Sequence, residues 1–407
     1  MARIYIYLLV WMVYSSVKAD NFGFYLEGHD KYTFSVELVH NLIVLKASIN
    51  GLDSQRFILD SGAEANIIFS EILPPSFPKE ILKDNIYIGG FGMEDSIAGK
   101  VLGNNTITID DIVFGGHLYW IEVSGIYSAV SNYMGMSIAG ILGIDFFRNM
   151  GIKVDYVNKE LTCYASGSKL PVHRYKQVPI QLYDNKIFTD IIVKNDKEED
   201  KKISVMIDMG ESKSLVLMRD TTHHIIEPEK SISAHLGIGI GGDIEGRIFY
   251  YPSLRWKNFR WKKVMVAMPD PEFSFLYSIK ANRSGSIGAD ILRRFTIIYD
   301  VANQGLYLKK NINFKDPYTY NRCGITLEYN MEMSQYIVSE VSELSPAYVF
   351  GIKPGDIILS VNHSALNKKY YEDVLAMMSS PDTKTLEVEI LRNGVKNTIA
   401  IILFDRL

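Results

Sequence analysis

Two cysteines in 407 residues are too few for a disulfide framework, and Cys163 and Cys323 fit no metal-ligand spacing. One pairing in an oxidising compartment stays open, with two separate small core residues as the simpler reading. Basic charge is not in excess: 43 Lys and Arg stand against 47 Asp and Glu with no basic stripe, which removes the electrostatic footprint that nucleic acid requires. Beyond the N-terminus no apolar run is long enough to cross a bilayer. There is no Gly-X-Ser-X-Gly elbow and no Gly-Asp-Ser-Gly run, which argues against a serine nucleophile. His223 and His224 near Asp220 have no usefully spaced third ligand, and neighbours on a strand face opposite ways, so no metal is expected. Gly237, Gly239 and Gly242 match a dinucleotide fingerprint, but strand-like sequence follows where a helix would have to begin, so no cofactor is expected either.

What is present is enough apolar residue, 47% of the chain, to bury the cores of two or three domains. The chain opens with Arg3, an apolar stretch over residues 4–13, and then Ser15, Ser16, Val17, Lys18 and Ala19. This order reads as an export signal over residues 1–19, cleaved near Ala19, and places the protein in a secreted or periplasmic setting with no stable span after cleavage. A short uncleaved anchor is the alternative. No cysteine follows the apolar run, so a lipid anchor is not indicated.

The strongest pattern occurs twice. Phe57-Ile58-Leu59-Asp60-Ser61-Gly62-Ala63 is answered by Gly140-Ile141-Leu142-Gly143, and Val205-Met206-Ile207-Asp208-Met209-Gly210-Glu211 by Gly285-Ser286-Ile287-Gly288. An acid directly after a strand is unfavourable unless the chain turns there, which a following glycine permits. Repetition of the whole unit implies two similar lobes that face each other and bring Asp60 and Asp208 together. Two carboxyls in contact share a proton, so one acts as base and the other as acid. Turn acids on unrelated strands are the alternative.

Around these units the chain alternates apolar and polar residues in short runs, the mark of antiparallel sheet. Residues 42–49 followed by Asn50-Gly51 form a strand entering a tight hairpin, and residues 186–193 form its counterpart. Glycine-dense segments, 88–99 with Gly89, Gly90 and Gly92, and 236–247 with Gly239, Gly241 and Gly242, suit mobile hairpins closing over a cleft. The lobe junction is expected near residues 166–172, giving lobes over 20–170 and 171–315. Residues 316–407 form a third unit, with Ser345-Pro346-Ala347, Gly355-Asp356-Ile357-Ile358, a helix over 366–378 and a hairpin at Asn393-Gly394.

Residues 40–308 resemble a tandem retropepsin-like and pepsin-like aspartic protease, through Asp60-Ser61-Gly62 and Ile141-Leu142-Gly143. The resemblance implies a mostly β, two-lobed aspartic protease β-barrel fold that acts on polypeptides. It also implies that Asp60 and Asp208 hold the catalytic water, with Ser61, Gly62, Met209 and Gly210 on the active-site loops. Met209 stands where the family has Thr or Ser, a hydroxyl that braces the two loops. Residues 321–405 resemble a PDZ domain, a small α+β unit. By that resemblance Gly324, Ile325, Thr326 and Leu327 capture the C-terminus of a peptide or protein, which adds as a strand beside the helix. The resulting expectation is an aspartic endopeptidase needing neither metal nor covalent intermediate, the rival being a degenerate peptide-binding protein of the same fold.

Overall fold

The computed structural model describes residues 23–89, 92, 96–195, 197, 199–221, 225–273 and 284–407. The expected signal segment 1–19, Gly90, and the His223-His224 pair lie outside these residues. Within them the chain is mostly β.

Leu42–Ile49 is buried at six of its eight positions, and Asn50 and Gly51 both take positive φ (47° and 79°) to turn it back into Leu52–Leu59. That return strand delivers Asp60. Gly140–Leu142 then runs parallel to it, with Leu142 opposite Leu59, and antiparallel to Asn66–Phe69. The second lobe repeats the arrangement. Lys186–Lys194 turns into Asp200–Ile207, and Gly285–Ile287 lies parallel to its end with Ile287 opposite Ile207, and antiparallel to Leu215–Leu217. The duplicated answering segments are therefore the strands that clamp each Asp-X-Gly turn from the side.

The segments after these clamps join the lobes. Gly151–Asp155 pairs antiparallel with Phe295–Asp300, Ile152 facing Tyr299 and Asp155 facing Thr296, at the centre of a six-stranded sheet built from both lobes. The Phe147 and Tyr299 rings meet edge to face across the junction, centroids 5.1 Å apart, and one apolar core runs through both lobes. Cys163 belongs to this core and Cys323 to a separate C-terminal one; both are free and buried.

The C-terminal unit is a sheet in the order Ile325–Asn330, Gln335–Val341, Ile357–Val361, Thr385–Arg392, Val395–Ile402, with its own core. Arg392 donates to both carboxylate oxygens of the buried Asp356 at 2.6 Å, pinning the Gly355-Asp356 turn. The helix is Tyr371–Ser379 rather than 366–378. Asn367 accepts from the backbone of Lys369 and Tyr370, and this turn holds residues 366–370 out of the helix.

Candidate active site at the interlobe cleft

The two loops are set by matching backbone bonds: Asp60 N donates to Leu142 O at 2.9 Å, and Asp208 N to Ile287 O at 3.0 Å. Each carboxylate is then oriented by its own turn. Gly62 N and Ala63 N donate to Asp60 Oδ1 at 2.7 and 3.1 Å, and Gly210 N donates to Asp208 Oδ1 at 3.0 Å. The glycines serve a second purpose, because each packs on the opposite aspartate. A Cβ on Gly62 would lie 2.7 Å from Asp208 Cγ, and one on Gly210 would lie 2.3 Å from Asp60 Cγ. No side chain larger than hydrogen fits while the carboxyls touch.

Asp60 and Asp208 are hydrogen-bonded through their carboxyls. Burial first, and then the Asp208 charge, hold the Asp60 carboxyl well above the usual carboxylate range, against the lowering effect of the Gly62 and Ala63 N–H groups. A pair in this state keeps one proton and titrates as a unit.

Beneath the pair the lobes are tied by Ser61, which is 0% exposed. Its Oγ donates to Ile207 O at 2.9 Å and accepts from Met209 N at 3.1 Å. The brace is one-sided. Met209, 1% exposed, has no hydroxyl to answer with, and its thioether fills the core while its backbone N–H still donates to the first lobe's serine.

The cleft above the pair is apolar. Leu42, Ile58, Ile67 and Phe69 line it from the first lobe, and Met206, Ile238, Ile240 and Ile244 from the second. Over it stand two hairpins, Glu80–Ile88 with Ile97–Ile109 and Ile232–Gly239 with Gly242–Trp256. Their tips meet: Gly92 and Gly241 form a backbone bridge so close that a Cβ on Gly92 would lie 2.1 Å from the Gly241 carbonyl carbon. Of the glycines expected there, Gly89 follows the first strand of its hairpin, Gly239 lines the cleft and Gly242 opens its return strand.

Two features of the site go beyond the sequence expectations. Glu211, three residues after Asp208, lines the cleft; burial, with a smaller push from Asp208, raises its carboxyl to about 7 against the pull of Lys213. The first copy has Ala63 at that position, so aligning the two copies would have exposed the difference. The helix Tyr127–Met134 was not expected. Its Val130, Tyr133 and Met134 line the cleft, and the helix also packs on the C-terminal strand Ile325–Asn330.

In the C-terminal unit, Gly324 has φ 79° and donates its N–H to Asn321 Oδ1 at 3.0 Å, and Ile325, Thr326 and Leu327 begin an edge strand. Ile325 and Leu327 share one buried core with Val374 and Met378 of the helix, and Arg322 N donates to Met378 O at the helix C-terminus. At the other end of this helix stands the first lobe. The His40 ring lies 5.8 Å from that of Tyr371, the His40 backbone N–H bonds the Glu372 carboxylate, and Asn41 Nδ2 donates to Ser212 O at 3.3 Å. Burial lowers His40 to about 4, so its ring is neutral at neutral pH.

Residues 337–392 match the family described as PDZ domain. Among solved structures, the chain is similar to the HtrA3 PDZ domain bound to a phage-derived ligand (FGRWV), at 22% identity over 21% of this chain and 83% of that one, with a TM-score of 0.18. It is also similar to the aspartic proteinase from Irpex lacteus, at 11% identity over 71% of this chain and 99% of that one, with a TM-score of 0.44. No curated protein matches the chain.

Proposed function

We propose that this chain is a secreted or periplasmic aspartic endopeptidase, exported by residues 1–19, whose C-terminal domain holds peptide segments. The observation that supports it best is the contact between Asp60 and Asp208 on matching turns, at the floor of an apolar cleft roofed by two hairpins. A water between the carboxyls loses a proton to the ionised one and attacks the peptide carbonyl. The protonated partner donates to the developing oxyanion, and the proton then passes to the leaving amine. The N–H groups of Gly62, Ala63 and Gly210 fix both carboxyls without neutralising them, so no metal is needed to orient the water. The hairpin tips hold an extended substrate and exclude bulk water once they have parted to admit it.

The second reading is a peptide-binding protein with the same cleft, favoured by the missing hydroxyl at Met209. A mass-spectrometric digest of unfolded proteins by the purified chain, from acidic to neutral pH, beside Asp60→Asn and Asp208→Asn, separates the two. Cleavage by the parent and by neither variant is the expected result. No cleavage by the parent at any pH leaves the binding reading.

A further inference from the structure

The walls of the cleft differ in charge. Apart from Asp60 the first-lobe wall is uncharged and mostly apolar, with Leu42, Ile58, Ile67, Phe69, Val123 and Met134 lining it beside Tyr133. The second-lobe wall carries Glu211, the only carboxylate besides the dyad among the described lining residues, none of which is Lys or Arg. One bond of its carboxylate is used: Oε1 accepts from Lys213 N at 2.8 Å. The Glu211 stem lies against the backbone at Gly288, where a Cβ would come 2.9 Å from Glu211 Cγ, so the side chain is held in place. Burial opposes its charge and Asp208 adds a smaller repulsion, while Lys213 compensates in part.

A half-buried carboxylate of this kind discriminates between ligands once it is ionised, above about pH 7. A neutral side chain seated against it takes away its remaining water without replacing it, an acidic one adds repulsion, and an ammonium or guanidinium supplies a counter-charge. We infer that Glu211 makes the cleft selective for substrates carrying Lys or Arg beside the scissile bond on the second-lobe side, with a bulky apolar residue against the first-lobe wall. This rests on the endopeptidase reading for its substrate but not for its test, because binding reports the same preference without hydrolysis.

The test uses extended peptides with one fixed large apolar residue and Lys, Gln or Glu placed in turn at each neighbouring position. Two quantities are read: kcat/KM with the parent, and Kd by fluorescence anisotropy with Asp60→Asn, each with and without Glu211→Gln. At one position Lys is expected to exceed Gln by ~10-fold, with Glu weakest, as for a charge-assisted bond in a dehydrated site. Glu211→Gln should bring the Lys-to-Gln ratio to within about 2-fold while the apolar preference stays, and Glu211→Asp should retain part of the ratio. A Lys-to-Gln ratio unchanged by Glu211→Gln, or no basic preference at any position, overturns the inference. Intact binding selectivity without cleavage overturns the peptidase reading alone.

Discussion

Replacing Ser61 by Ala removes one oxygen and unpairs two backbone groups. Ser61 is fully buried, and its Oγ is the partner of both Ile207 O and Met209 N, which belong to the opposite lobe. Each buried backbone group left without a partner costs about 1–3 kcal/mol, and the alanine methyl cannot relieve either, so the interface should lose about 2–6 kcal/mol. Because Met209 offers no hydroxyl of its own, no second brace takes up the load. Urea unfolding followed by tryptophan fluorescence reads the loss in both lobes, through Trp120 in the first and Trp256 and Trp261 in the second. The exposed Ser364→Ala, expected within about 0.5 kcal/mol of the parent, is the control. Turnover should fall along with stability, since Ile207 and Met209 flank Asp208. A midpoint shift no larger than that of the control would refute the claim that this serine ties the lobes.

The converse substitution, Met209→Thr, offers a hydroxyl where the twofold counterpart of the Ser61 brace would form. Peptide turnover should rise several-fold with little net change in stability, because about 1–2 kcal/mol of new hydrogen bonding offsets lost thioether burial; unchanged or lower turnover would show that the thioether packing itself is required. The pH dependence of stability isolates Glu211. Its carboxyl rises from 4.5 to about 7 on folding, so the folded state holds its proton more tightly, and the parent loses stability as pH climbs through that window. The loss is at most about 3 kcal/mol. Glu211→Gln should flatten this slope, matching the parent at pH 4 and exceeding it at pH 8 in urea midpoints. Parallel curves would mean that the carboxyl is solvated.

The elements legible in the sequence were those fixed by near neighbours. Strand, acid and glycine in one short run were enough to mark both Asp60 and Asp208, and Asn50-Gly51 marked its hairpin because both residues tolerate positive φ. Partners fixed by distant chain were not legible. The pairing of Ile152 with Tyr299 joins two segments that sequence showed only to be alike. The helix Tyr127–Met134 carries Ser128, Ser131 and Asn132, weak helix formers, and is held by its contacts and by Gly135, whose φ of 65° ends it. The helix Tyr371–Ser379 starts later than its apolar spacing, which runs back through Tyr370 and Leu366, because the Asn367 turn decides the boundary. Met209 was legible as a missing hydroxyl, but its N–H bond to Ser61 depends on backbone position, which side-chain identity does not report.

The strand junction between the lobes, in which Gly151–Asp155 meets its own counterpart Phe295–Asp300, has the form of a contact between two identical subunits. In a symmetric pair of separate chains, one gene supplies both sides, so any change at the centre is imposed twice and must suit both. Here the two sides are written separately. Ser61 stands opposite Met209 and the small Ala63 opposite the carboxylate of Glu211, a difference that identical subunits could not carry. The covalent link thus frees each half of a symmetric site to acquire its own chemistry.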